Sequence, residues 1–238
     1  MRRPVIRIVG LHKSFGAQVV LADVSFAVEA GEVVAVLGAS GAGKTTLFRC
    51  LTRLVQSDHG EIHLGEHAMQ TLDGRELAMA RREVGLIFQQ FNLIRRLSAL
   101  DNVLAGRLGS VSTWRVMLRR FPQLDRQLAL AALDRVGMLP FALQRADRLS
   151  GGQQQRVAIA RALAQQSRFV LADEPVASLD PESARSVLSI LREIAQERMI
   201  AVLVSLHQAR FRAPICRSGD RIACRTRDCR SLGLVRRD

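Results

Sequence analysis

The stretch from Gly38 to Thr45 has the residue types and the spacing that bind a polyphosphate. It reads G-A-S-G-A-G-K-T and fits the pattern G-x-x-x-x-G-K-[ST]. Glycines let backbone N–H groups surround phosphate oxygens, and a helix that begins here adds the positive end of its dipole. We expect Lys44 to reach the β- and γ-phosphates and the Thr45 hydroxyl to bind Mg²⁺. The predicted nucleotide-binding residues of this segment are Gly38, Ala39, Ser40, Gly41, Ala42, Gly43, Lys44, Thr45 and Thr46.

The flanking segments supply the strand and the helix that such a loop requires. The apolar run Val33–Leu37 predicts a buried strand. The run Lys44–Leu54 predicts a helix, and its apolar residues at helical spacing are Leu47, Phe48, Leu51 and Leu54. The alternative is a glycine-rich turn with no ligand, which the lysine and threonine disfavour.

Two adjacent acids follow another apolar run. Asp173 and Glu174 come directly after 169–172, which predicts a buried strand. Phosphoryl transfer depends on positioning and charge neutralisation. We therefore expect Asp173 to hold Mg²⁺ through water and Glu174 to act as the general base for the attacking water. The alternative is a solvated pair of acids at the end of a strand.

Further motifs follow one another in a recognisable order. Gln89 follows the apolar run 84–88, Leu149–Gln153 reads L-S-G-G-Q, Ser178–Asp180 reads S-L-D, and His207 follows the strand-like run 200–204. Together with the loop and the acids, these motifs resemble the ATP-binding subunit of an ABC transporter, over residues 5 to about 208. The order is P-loop, glutamine loop, signature motif, two acids, D-loop and histidine switch.

This resemblance implies roles for residues whose types alone say little. It implies that Gln89, or alternatively Gln90, contacts Mg²⁺ and the attacking water. It implies that His207 hydrogen-bonds the γ-phosphate and that Phe15 stacks on adenine. The alternatives are a polar residue at the end of a strand, a structural histidine and a core phenylalanine.

The signature motif predicts a second anion site, because backbone N–H groups gather where a helix begins. One phosphate chain cannot easily occupy both this site and the P-loop of the same subunit. The resemblance implies a head-to-tail homodimer that binds ATP between the P-loop of one subunit and the signature motif of the other. The predicted signature residues are Ser150, Gly151, Gly152 and Gln153, and Asp180 is expected to act across the same interface.

Alternating strands and helices predict an α/β fold with a largely parallel sheet. The resemblance implies a P-loop NTPase (RecA-like) core with an antiparallel β-subdomain and an inserted helical subdomain. We expect an ATPase domain at 1–208, with its core at 1–90 and 149–208 and the helical subdomain at about 91–148. The predicted buried helix faces are Leu128, Ala131, Ala132 and Val136, and Ala184, Val187, Leu188, Leu191 and Ile194.

Several stretches resemble one branch of the family, the ATPases of phosphonate importers. They are 88–93, 96–98, 102–104, 106, 108–110, 114–115, 136–138, 144–145 and 171–185. The branch implies a permease and, indirectly, an extracytoplasmic binding protein as partners. It also implies a location at the cytoplasmic face of the inner membrane, peripheral through the permease. The alternatives are the ATPase of another importer, such as one for amino acids, a soluble ABC protein, or an inactive remnant.

Composition excludes several other classes of protein. The chain has 238 residues, 48% of them hydrophobic, and a net charge of +13. No apolar run reaches the ~18 residues of a membrane span, and no signal peptide is expected. Nucleic acid is not an expected partner, because much of the positive charge lies in the 209–238 tail.

The tail from 209 to 238 departs from the resemblance and is rich in Arg and Cys. Back-translation of 210–232 with free third bases, shifted by one base, permits the reading DFARPYADRVIALRAGRVIADL, which resembles the family after its histidine switch. We interpret the tail as a segment read out of frame, with little ordered structure after about residue 210. An authentic basic tail is the alternative, and resequencing the coding DNA decides between them.

Overall fold

The computed structural model describes residues 4–118 and 120–207. Its parallel sheet has the strand order β3 (Val33–Gly38), β8 (Ala201–His207), β7 (Phe169–Asp173) and β6 (Val84–Ile87). A second, antiparallel sheet has the order β2 (Gln18–Glu29), β1 (Pro4–Phe15), β4 (His59–Leu64) and β5 (His67–Ala68). The predicted combination of a parallel core and an antiparallel β-subdomain is confirmed.

Helices connect and cover these strands. They are α1 (Lys44–Leu51), α2 (Gly74–Arg82), α3 (Ala99–Leu104), α4 (Thr113–Met117), α5 (Gln123–Arg135), α6 (Gly151–Ala164) and α7 (Pro181–Arg198). Three short 3-10 helices lie at Ala105–Arg107, Leu139–Phe141 and Ala146–Arg148. Helices α3, α4 and α5 occupy the segment that the sequence predicts to be helical. The tail beyond 207, including its predicted lack of order, lies outside the described residues.

The two faces of the parallel sheet belong to two apolar cores. Val170 and Val202 pack in the core that also holds α3, α5, α6 and α7. Leu171 and Leu203, one residue further along each strand, pack with α1 and the antiparallel sheet. Burial on both faces is typical of parallel strands and explains why these strands are continuous apolar runs.

Two helix predictions need correction. Helix α1 ends at Leu51 rather than Leu54, because the chain turns at Arg53, whose φ is 54°, and Leu54 is 59% exposed. The buried apolar face of α5 is formed by Ala129, Ala132 and Leu133, and the buried Val136 follows as the C-cap residue. Of the residues expected there, Ala131 is exposed and Leu128 is half-buried. The predicted face of α7 is confirmed, with Leu188 half-buried and the other four residues buried.

A buried ion pair within the helical segment includes an arginine that also bonds to the end of α6. Arg107 Nε donates to Asp125 Oδ1 at 2.7 Å, and the two side chains are only 11% and 8% exposed. Arg107 Nη1 also donates to the carbonyl oxygen of Ala164 at 3.0 Å and to Gln166 Oε1 at 3.1 Å. The guanidinium therefore anchors α5 and the end of α6 to each other.

Replacing Asp125 with alanine is expected to lower the free energy of unfolding by about 3 kcal/mol, because it leaves the buried Arg107 cation without its counter-ion. Urea denaturation measures the change. The exposed Asp134 lies on the same helix, and Asp134→Ala is the matched control, with an expected change within about 0.5 kcal/mol. Equal stability of the two variants would contradict the anchoring role.

Candidate nucleotide-binding site

The P-loop connects β3 to α1 as predicted. Gly43 precedes α1 with a φ of 86°, and Gly41 has a φ of 78°, a region that favours glycine. A Cβ atom on Gly43 would lie 2.9 Å from the carbonyl oxygen of Val20 on β2. This position therefore requires glycine for both its backbone conformation and its contact with the antiparallel sheet.

Lys44 lies at the centre of the site and is only 4% exposed. Its Nζ donates to the carbonyl oxygens of Gly38 at 2.9 Å and Ala39 at 2.8 Å. It also lies 3.2 Å from Glu174 Oε1. The structure thus brings the lysine and the second acid, far apart in sequence, into direct contact.

Thr45 and Asp173 meet beside this lysine. Thr45 Oγ1 donates to Asp173 Oδ2 at 2.8 Å. A hydroxyl and a carboxylate are the hard oxygen donors that Mg²⁺ prefers, so the residues fit the predicted ion. Within 4–118 and 120–207 no group of three or more His, Cys, Asp or Glu could hold a metal. The remaining ligands would come from phosphate and water, as is usual for Mg²⁺ in nucleotide sites.

Ser205 on β8 is a residue of the site that the sequence did not single out. It is fully buried, and its Oγ donates to Asp173 Oδ1 at 2.7 Å. The same oxygen accepts the N–H of Glu174 at 2.8 Å, where the Glu174 backbone has a φ of 47°. The available signal was a polar residue within an otherwise apolar strand.

The signature motif begins α6 as expected. Ser150 is the N-cap residue, and its Oγ accepts the Gln153 N–H at 3.3 Å while Gln153 Oε1 accepts the Ser150 N–H at 2.9 Å. This reciprocal pair is a capping box, which stabilises the start of a helix. Gly151 and Gly152 form the first turn between them.

Comparison with known proteins identifies the family. A family model described as ABC transporter matches residues 21–177. This chain belongs to the ABC transporter family.

Several relatives of this ABC transporter chain carry specific names. The phosphonates import ATP-binding protein PhnC 1 of Rhodopseudomonas palustris (strain HaA2) is 52% identical over 187 residues, or 79% of this chain and 67% of that protein. The hypophosphite import ATP-binding protein HtxD of Stutzerimonas stutzeri is 49% identical over 208 residues, which are 87% of this chain and 61% of that protein. PhnC of Lactiplantibacillus plantarum is 46% identical over 205 residues, which are 86% of this chain and 80% of that protein. This chain therefore spans less than two thirds of HtxD and somewhat more of the other two.

Solved structures share the fold. The dimeric ATP-binding cassette MJ0796, in a post-hydrolysis state bound to ADP and Pi, matches with a TM-score of 0.70 and 32% identity, covering 86% of this chain and 88% of that chain. The cbiO1 protein from Clostridium perfringens, part of the ABC transporter complex cbiONQ, matches with a TM-score of 0.76 at 24% identity, covering 86% and 78%. The second match supports the fold alone.

Asp180 of this ABC transporter chain caps α7. Its Oδ1 accepts the N–H groups of Glu182 at 3.1 Å and Ser183 at 2.9 Å. Hydrogen bonding from Ser183, by its side chain and its backbone, lowers the pKa of the Asp180 carboxyl below its usual value. Asp180 therefore has a structural role in addition to its predicted role across a dimer interface, which stays a prediction.

Phe15 lies at the end of β1 and is 51% exposed, so it is not a core residue. Lys13 Nζ lies 5.2 Å from the centroid of its ring, within the range of a cation–π contact. Lys13 in turn donates to Asp58 Oδ1 at 2.6 Å, and Asp58 Oδ2 accepts the Ser14 N–H at 2.6 Å. These bonds lower the pKa of Asp58. The exposed ring is available for the predicted stacking.

The glutamine loop follows β6, with Gln89 exposed at its start. Phe91 and Asn92 have φ values of 58° and 47°. Arg161, from α6, donates to the carbonyl oxygen of Asn92 at 2.6 Å and to that of Phe91 at 3.0 Å. Burial lowers the pKa of this guanidinium. Arg161 thus attaches the glutamine loop to the helix that carries the signature motif.

His207 is the last residue of β8, and its backbone is paired with that of Gly38 in the parallel register. This pairing puts the histidine beside the first residue of the P-loop. The structure therefore gathers the ends of β3, β7 and β8 at one edge of the sheet, where parallel α/β folds bind ligands.

Proposed function

We propose that this chain is the ATP-hydrolysing subunit of an importer, and that the transported compounds are phosphonates. The observation that carries the proposal is a cluster of four side chains at one edge of the sheet. Lys44 Nζ lies 3.2 Å from Glu174 Oε1, and Thr45 Oγ1 lies 2.8 Å from Asp173 Oδ2. Relatives named as phosphonate import ATP-binding proteins, up to 52% identical, support the substrate class. The proposed ATPase domain comprises residues 1–208.

Each residue of the cluster has a role that fits phosphoryl transfer. Lys44 neutralises phosphate charge from its buried position, and the glycines of the P-loop let backbone N–H groups approach the phosphates. Thr45, Gln89 and, through water, Asp173 would hold Mg²⁺, which would neutralise the charge that develops in the reaction. Glu174 accepts a proton from the attacking water. Gln89 orients that water, and His207 hydrogen-bonds the transferred phosphate.

The active form in this proposal is a head-to-tail homodimer. The signature residues Ser150–Gln153 begin a helix of 14 residues, whose N-terminus attracts anions. A subunit would offer this second anion site to the ATP held by the P-loop of its partner, with Asp180 close to the interface. The solved cassette MJ0796, which is 32% identical, is described as dimeric, and this likeness supports the proposal.

We place the permease at a groove of about 630 Å³ beside the glutamine loop. The groove lies between α2, β6, the segment after α3, and α6, and its lining includes Arg81, Arg82, Phe88, Asn92 and Arg161. Within the described part of the chain no helix is both long and apolar enough to span a bilayer. The proposed location is the cytoplasmic face of the inner membrane, through the permease, and an extracytoplasmic binding protein acts indirectly.

Reconstitution with the permease and binding protein in proteoliposomes tests this function. We expect methylphosphonate to stimulate ATP hydrolysis several-fold over the basal rate and amino acids to have no effect. Hypophosphite is the second candidate, because HtxD is 49% identical. Stimulation by hypophosphite alone would replace phosphonate as the substrate, and stimulation by an amino acid alone would refute both candidates.

Replacing Phe15 with alanine is expected to raise the dissociation constant for ATP roughly 5- to 150-fold, since stacking on an aromatic side chain contributes about 1–3 kcal/mol per base. Calorimetric titration measures it. Tripolyphosphate has no base, so its affinity should stay unchanged and serves as the internal control. Phe15→Trp should retain ATP affinity. Equal losses for ATP and tripolyphosphate would contradict a stacking role.

A further inference from the structure

Ser205 connects the two acids of the site through one hydroxyl group. Asp173 and Ser205 are direct partners in the parallel register between β7 and β8. The hydroxyl donates its proton to Asp173 Oδ1 at 2.7 Å and accepts the Glu174 N–H at 2.8 Å. Since the side chain is fully buried, bulk water has no direct access to it.

The bond to Asp173 fixes the direction of that carboxylate. One oxygen, Oδ1, is held by Ser205, and the other, Oδ2, accepts the hydroxyl of Thr45 at 2.8 Å. With Oδ1 fixed inside the sheet, Oδ2 faces the P-loop and Thr45. A hydrogen-bonded partner of this kind orients a carboxylate that would hold the ion, here through water, and tunes the affinity of the site for it.

The bond from Glu174 fixes a backbone conformation that its residue type does not favour. The φ of Glu174 is 47°, in the left-handed region, where non-glycine residues persist only if their surroundings hold them. The N–H bonded to Ser205 belongs to this residue. The carboxylate of Glu174 then lies 3.2 Å from Lys44 Nζ, over the P-loop.

We propose that Ser205 is a positioning residue for the hydrolysis of ATP, because it aims the metal-binding oxygen of Asp173 and holds the backbone of Glu174. Alanine lacks both the donor and the acceptor. Threonine keeps both, and its β-branched side chain suits a strand. The inference rests on the proposed function of the two acids.

Binding of Mn²⁺ to the full chain with a non-hydrolysable ATP analogue tests the proposal by electron paramagnetic resonance, independently of turnover. In Ser205→Ala we expect Mn²⁺ affinity to fall about 10- to 100-fold. Affinity for ATP in EDTA should stay within about twofold of the wild type, and kcat should fall more than KM rises. Ser205→Thr should restore Mn²⁺ affinity.

Ser167→Ala is the matched control. Ser167 is also buried, and its hydroxyl donates to the carbonyl oxygen of Ala162 at 3.1 Å, away from the acids. The Ser167→Ala protein should bind Mn²⁺ with the affinity of the wild type. If Ser205→Ala does not fold, Ser205→Cys, which keeps the size with a much weaker donor, should show the same loss of Mn²⁺ affinity.

Wild-type Mn²⁺ affinity in a folded Ser205→Ala or Ser205→Cys protein would overturn the inference. A loss of ATP affinity in EDTA as large as the loss of Mn²⁺ affinity would also overturn it. The proposed function fails separately, if the wild-type chain with its permease hydrolyses no ATP in Mg²⁺. A wild-type protein that hydrolyses ATP alongside an unimpaired Ser205→Ala variant refutes only the positioning role.

Discussion

Replacing Glu174 with glutamine is expected to reduce ATP turnover by about 100- to 10,000-fold while ATP binding is retained, the range that a positioned general base contributes. Glutamine keeps the shape of the side chain but cannot accept a proton from water. The contacts of Lys44 with the carbonyl oxygens of Gly38 and Ala39 do not involve this carboxylate, so the phosphate site should persist. Phosphate release measures turnover, and calorimetry measures binding.

The same variant tests the dimer. If ATP is held between two subunits and hydrolysis separates them, Glu174→Gln with ATP and Mg²⁺ should accumulate as a dimer in light scattering. Glu76→Gln is the control, since Glu76 is an exposed acid in the first turn of α2; it should hydrolyse ATP at the wild-type rate. Near-normal turnover in Glu174→Gln would refute the base, and a strictly monomeric protein would refute the shared site.

Replacing Lys44 with alanine is expected to weaken ATP binding by roughly 10- to 150-fold. A hydrogen bond to a charged group contributes about 1.5–3 kcal/mol, and each 1.4 kcal/mol is a factor of ten in affinity. The side chain is 4% exposed, so little solvent screens its charge. Titration with a fluorescent ATP analogue measures the dissociation constant.

Two comparisons make the Lys44 result specific. Arg75→Ala removes an exposed positive charge on α2 and should leave ATP affinity unchanged, which excludes a general effect of net charge. Affinity for adenosine, which has no phosphate, should be the same in Lys44→Ala and the wild type. A comparable loss of adenosine binding would mean that the substitution had disrupted the site as a whole.

The core of the site was predictable because its residues lie within or directly beside local sequence motifs. Lys44 follows a glycine loop, and Asp173 and Glu174 end an apolar run. Each signal lies at the end of a strand, and the ends of parallel strands meet at one edge of a sheet. The sequence alone therefore predicted which residues would approach one another, although not the distances between them.

Other features depend on contacts between residues distant in sequence. Ser205 became visible as a site residue only when the register of β7 and β8 placed it opposite Asp173. The buried face of α5 was misjudged because Leu, Ala and Arg alternate along it and several faces are partly apolar. The end of α1 was misjudged because Leu54 continues the apolar spacing past Arg53, where the backbone leaves the helix.

The attachment of the glutamine loop to α6 has a mechanical consequence. Arg161 donates hydrogen bonds to the carbonyl oxygens of Phe91 and Asn92. Gly151 begins the same helix ten residues earlier, a distance of about 15 Å at 1.5 Å per residue. The signature motif and the attachment of the glutamine loop therefore lie on one continuous hydrogen-bonded helix. We therefore expect a displacement of the glutamine loop to be passed through Arg161 and α6 to the signature motif at Ser150.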